Sequence, residues 1–350
     1  MKRNSLKSIY KKWLVGMLAL LLMNACKNDN DIDETIDAQL KGRPVQKASV
    51  FVTAPEDGAA IYIDGVYTGL NTPATVNVEV GTHDIGVGLE SAVQYLRRSI
   101  EITDVSSSVD LTLSEQDLVA PKTWRALFVG VNQVTNGSCV TSYTTEQLNQ
   151  AYDFFQWSFN DVVEPWSYNT MDWEFVRRDI SDELVQLSSD NLITPSVLES
   201  YMPDINVGEY DLVVTFFRGE QADCSIAGFI GIAWYDVTAL YSQSSYYTIR
   251  YYDDLEGMIQ YSLENDPGVF IHEWLHTVAE LFYPAQGVRV PSFRGQVVHA
   301  AERYGYVHPW MNWYKDIIRG QVEERDGFSG IGPDAFLKCS VSESALGQCQ

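Results

Sequence analysis

Asp266-Pro267-Gly268-Val269-Phe270-Ile271-His272-Glu273-Trp274-Leu275-His276-Thr277-Val278 has the pattern of a buried helix that carries two histidines on one face. Asp266 followed by Pro267 reads as a helix N-cap with proline at the first helical position, where its missing N–H costs nothing. Val269, Phe270, Ile271, Trp274, Leu275, Val278 and Leu281 supply an apolar surface large enough to bury the helix, and Tyr283-Pro284 ends it. Histidines four apart leave a helix from the same face, so His272 and His276 can reach one tetrahedral metal. Zinc suits such a site, because it accepts imidazole nitrogen and keeps an open position when the protein supplies three ligands. Glu273 would then lie beside a metal-bound water whose pKa falls to roughly 7, and could take its proton as the hydroxide attacks a carbonyl carbon. The expected chemistry is hydrolysis of an amide bond.

Of the five histidines only His83 lies outside the final third of the chain, so a third ligand is sought near His299 and His308. His299-Ala300-Ala301-Glu302 opens a second expected helix, where the i, i+3 spacing lets either side chain face the first. His299 and Glu302 are the leading candidates, one as ligand and the other as its orienting partner. Glu280 follows His276 by four residues and is nearly in line with both histidines, which suits a supporting or surface place better than a ligand's. Tyr306, or Tyr304 beside it, could stabilise the oxyanion formed on attack. His308 precedes Pro309 in an aromatic turn and reads as packing.

His272-Glu273-Trp274-Leu275-His276 resembles the signature of zincin metallopeptidases, and a ligand on a following helix resembles the gluzincin arrangement. The resemblance implies that His272 and His276 bind zinc, that Glu273 is the general base and that the substrate is a peptide or protein. The longer metzincin pattern is not met, since Ala279 and Phe282 stand where its glycine and last ligand belong. The same residues leave open a non-catalytic domain that binds peptide or glycan, and a zinc amidase acting on cell-wall peptide. A zincin also needs an edge strand beside its cleft, on which an extended peptide can add. The run from Gly228 to Trp234 could supply it, its glycines allowing close backbone approach.

Tyr210 to Phe217 reads as a buried strand and Arg125 to Val131 as an earlier one. Glu146 to Val162 reads as an amphipathic helix with Leu148, Ala151, Phe154, Phe155 and Phe159 inward. Residues 123–350 are therefore expected to form an α+β, zincin-like catalytic domain.

At the other end, Lys2, Arg3, Lys7, Lys11 and Lys12 precede an apolar run from Trp13 to Met23 that is too short to span a membrane comfortably. Leu22-Met23-Asn24-Ala25-Cys26 resembles the lipobox of bacterial lipoproteins. That implies a signal peptide over 1–25, a lipid anchor at Cys26, and placement at the outer membrane or surface of a Gram-negative cell, the periplasmic face included. Residues 26–46 follow as an acidic tether, whose start resembles the export tags of surface lipoproteins. Removing the five cations of the signal takes the formal net charge from −23 to −28, which argues against nucleic-acid partners. Cys139, Cys224, Cys339 and Cys349 suggest two disulfides in an exported chain, with three pairings open.

Between tether and catalytic domain, 47–115 reads as a β-sandwich of short alternating segments: Ser49 to Thr53, Ala60 to Asp64, Thr75 to Val80, His83 to Val87, Ser99 to Asp104 and Ser107 to Leu113. Pro55-Glu56-Asp57-Gly58-Ala59, Asp64-Gly65, Thr72-Pro73 and Gly81-Thr82-His83 are similar to the PEGA domain, which implies a spacing or adhesion module. Ser114 to Lys122 would link it to the domain that follows.

Overall fold

The computed structural model describes residues 47–103, 108–226, 228–251 and 254–349. The expected signal peptide, the anchor at Cys26 and the tether lie outside the described residues. No described helix is long and apolar enough to cross a membrane.

The chain begins with strands β1 (Lys47–Thr53), β2 (Ala60–Ile63), β3 (Val66–Asn71), β4 (Ala74–Glu79), β5 (Gly81–Leu89), β6 (Gln94–Ile102) and β7 (Ser108–Thr112). They form a three-stranded sheet in the order β4-β1-β7 and a four-stranded one in the order β3-β2-β5-β6. Alternation decides which faces meet: Val50, Val52, Val76, Val78 and Leu111 from one sheet pack on Ile61, Ile85, Val87 and Leu96 from the other. β3 is a strand that the reading of the sequence missed. Asp64 and Gly65 both take positive φ, at 51° and 83°, as a two-residue hairpin turn requires, so the chain returns at once as β3.

The second part is a mixed α+β domain built on a five-stranded sheet. Its strands are β8 (Lys122–Gly130), β9 (Met171–Arg177), β10 (Leu212–Arg218), β11 (Gly231–Trp234) and β12 (Ser245–Tyr251), in the order β9-β8-β10-β12-β11. The first four in that order are parallel, and β11 is antiparallel to β12 at the edge. Parallel strands are covered on both faces, which is why β10 reads as a continuous apolar run. On one face lie helices α1 (Thr145–Trp157) and α2 (Leu255–Asn265), the motif helix α3 (Val269–Thr277) and α4 (Met311–Arg319). α1 starts at a capping box between Thr144 and Gln147 and buries Leu148, Ala151, Phe154 and Phe155.

Two local expectations about the motif helix are corrected. Asp266 ends α2 instead of capping α3, whose N-cap is Gly268, because Pro267 closes one helix and only the two-residue turn Pro267-Gly268 leads to the next. After Thr277 the helix widens into a π-helical turn, Val278–Phe282. The extra residue in that turn shifts the register, so Phe282 is buried and Leu281, expected inside, is exposed.

Disulfides join Cys139 to Cys224 and Cys339 to Cys349. Residues 48–350 form one compact unit, so the β module is docked on the α+β domain and not merely tethered to it. Tyr62 donates to the carbonyl of Arg319 (3.0 Å), Arg319 pairs with Glu90, and Tyr95 and Arg97 both donate to the buried carboxylate of Asp334 at 2.7 Å. Asp334→Ala leaves a buried phenol and a guanidinium without their acceptor, and is expected to cost roughly 3 kcal/mol. Urea denaturation checks this; an unchanged midpoint would show that the dock is held elsewhere.

Candidate metal centre

α3 is held in place by its apolar side. Trp274 is fully buried, edge-on to Trp124 and Trp173 and stacked on Phe336, and Phe270 packs on Phe154, Phe155 and Phe216. With that side fixed against the sheet, His272 and His276 emerge one turn apart into a cleft of about 850 Å³. The cleft is mainly apolar. Edge strand β11 with Phe229 and Ile230 before it forms one wall, Met258 and Tyr261 of α2 a second, and Trp310 and Tyr314 a third.

Three imidazoles converge there. His272, His276 and His299 offer ligand atoms within 4.8 Å of one another, the one such metal-competent cluster among the described residues. The Nε2 atoms of His272 and His276 face each other at 3.2 Å. Two nitrogens bound tetrahedrally to one zinc would be about 3.3 Å apart, from Zn–N bonds of about 2.0–2.1 Å. The Nδ1–H of His276 donates to Glu280 Oε2 (2.9 Å), which leaves the Nε2 lone pair free to ligate. His272 Nδ1 lies 2.7 Å from the hydroxyl of Tyr314, which fixes the ring. Burial and the nearby imidazoles push the His272 pKa down to about 3, so this ring is neutral near neutral pH, as a ligand must be. Burial likewise lowers His299. The donor set fits a borderline divalent cation.

The carboxylates stand outside this cluster. Glu280 is 6% exposed and therefore no surface residue. Burial works to raise its pKa, but the hydrogen bond and charge of His276 and the N–H groups of Val297 and Val298 outweigh it and hold it low. Glu302 accepts from the indole of Trp310 (3.0 Å) and is not brought to the cluster. The segment bearing His299 is a short 3-10 helix, Val298–Tyr304, rather than the expected α-helix. Tyr306, read as an oxyanion donor, gives its hydroxyl hydrogen to Asp316 at 2.6 Å and does not line the cleft. Tyr304 donates to Glu324. His308 pairs with Asp266 at the rim (2.9 Å). Glu273 lines the cleft against the backbone of Gly231, where an added Cβ would come within 2.4 Å of its Oε1. Burial pushes its pKa up to about 7.

The zinc metallopeptidase reading is corrected on these grounds. It takes His272 and His276 as zinc ligands, His299 or Glu302 as the third, and Glu273 as the catalytic base. Among the described residues the structure gathers His272, His276 and His299 into one cluster, with no carboxylate among its ligand atoms. That set supports coordination of a metal, and does not by itself assign hydrolase or protease activity. Tyr314 went unnoticed in the sequence, where nothing separates it from the other tyrosines of an aromatic-rich segment.

Residues 47–117 match the family model of the PEGA domain, in line with the β module described above. No curated protein matches the chain.

Proposed function

We propose that this chain is an exported, lipid-anchored binding protein that holds an extended peptide against a three-histidine zinc centre. The observation that carries the reading is the position of His272, His276 and His299 beside edge strand β11 in one apolar cleft. An edge strand presents a row of backbone donors and acceptors on which a peptide adds as a further strand, and that row favours peptide over glycan. The apolar walls would take its side chains. When bound, zinc supplies a Lewis-acidic position for a carbonyl or carboxylate oxygen. His276, held by Glu280, and His272, held by Tyr314, keep their Nε2 atoms aimed at that position.

Cys26 would tether the protein to the outer membrane or cell surface. The test is metal analysis of the full chain, with peptide binding and peptide hydrolysis assayed before and after chelation. One zinc per chain, with chelator-sensitive peptide binding and no turnover, supports the reading. Chelator-reversible hydrolysis overturns it, as does peptide binding that ignores the metal.

A further inference from the structure

His299 is the exposed member of the cluster and sits on a short 3-10 helix. The chain from Gln286 to Gln296 contains no helix or strand apart from a bridge between Phe293 and Gln296, so regular structure does not fix where that helix begins. Val297, its N-cap residue, has no side-chain acceptor for the first N–H groups. The acceptor comes from elsewhere in the fold. Glu280 Oε1 accepts from Val297 N (2.8 Å) and Val298 N (3.0 Å), while its Oε2 accepts from His276 Nδ1. Glu280 lies within the π-helical turn that follows α3, so one carboxylate spans both ligand-bearing elements.

We infer that Glu280 is a positioning residue that sets the third histidine of the cluster by gripping the second. Resting on the metal-centre reading, the inference adds that the cluster is assembled before metal arrives. An exposed histidine on a short helix would otherwise lose conformational freedom on binding, and the carboxylate removes that cost by fixing the helix start while holding His276 in the ligating tautomer. A glutamine at this position cannot replace it. Its amide has one acceptor oxygen, and its NH2 group would face either the two backbone N–H groups, which are donors, or Nδ1 of His276, which can accept it only in the tautomer that carries its proton on the ligating Nε2.

The experiment compares the full chain with Glu280→Gln by zinc titration against a competing chelator, and by amide exchange of the metal-free proteins at Val297 and Val298. Zinc affinity is expected to fall about 10- to 100-fold, as for other partners of ligating histidines, with protection lost at both amides. In a His299→Ala background the same substitution should cost clearly less, because part of its effect acts through His299. Unchanged affinity, unchanged protection, or an equal cost in both backgrounds overturns the inference. If Glu280→Gln does not fold, Glu280→Asp, one methylene too short for the span, is read by the same three criteria. Wild-type chain that binds no zinc would refute the metal centre, whereas the amide exchange judges the grip of Glu280 independently.

Discussion

His276→Ala is expected to lower zinc affinity by about a hundredfold to a thousandfold, one ligand's share when a four-ligand zinc-finger site supplies roughly 10–16 kcal/mol. His276 is the buried centre of the arrangement, facing His272 through Nε2 and Glu280 through Nδ1. Its loss removes a ligand and also frees one oxygen of the carboxylate that positions the His299 helix. His299→Ala removes a ligand but leaves the contact between Glu280 and His276 intact, so it should cost less. Competition titration ranks the two variants. Equal costs would mean that the three histidines act independently, and undiminished affinity in either variant would remove that residue from the centre.

The largest expected effect on stability comes from the opposite side of the same helix. Trp274→Ala should destabilise the fold by about 3–5 kcal/mol, because truncating a fully buried tryptophan leaves a cavity as well as losing its transfer free energy. Trp124, Trp173, Phe159 and Phe336 all touch its ring, and these groups from several elements cannot collapse together into the space. Denaturation of the metal-free variant measures the loss, and zinc titration of the fraction still folded shows whether α3 keeps its orientation. A loss below about 1 kcal/mol would mean that the aromatic packing does not hold the helix.

Local signals made part of this legible from sequence. The alternation of β1 and β4, the apolar face of α1 and the i, i+4 histidines are each written within one element, where side-chain period alone decides which face is buried. Asp64-Gly65 carries more than the family resemblance, since the backbone such a pair permits is a hairpin turn and so implies the strand that follows it. The π-helical turn left no signal, since it shifts register by one residue without breaking the apolar pattern, and the outward place of Leu281 follows from that shift.

Contacts between distant segments were beyond reach for a different reason. The meeting of Tyr314 with His272, of Glu280 with Val297 and Val298, and of Asp334 with Tyr95 and Arg97 depends on how elements dock, and no local period encodes it. The candidate site shows the same division. His272 and His276 were visible as a pair on one helix. The choice of His299 over Glu302 turns on a 3-10 helix whose start is fixed by a residue 17 positions away in sequence. The pentapeptide alone does not assign peptidase activity, because a motif describes one element, whereas a site is made by several.

X-ray absorption spectroscopy of the zinc-loaded full chain reads the ligands of the metal themselves. One zinc per chain is expected, with three imidazole nitrogens at about 2.0–2.1 Å and a fourth, exchangeable oxygen or nitrogen donor. A chain that retains no zinc, or a first shell with fewer than three imidazoles, would contradict the three-histidine centre.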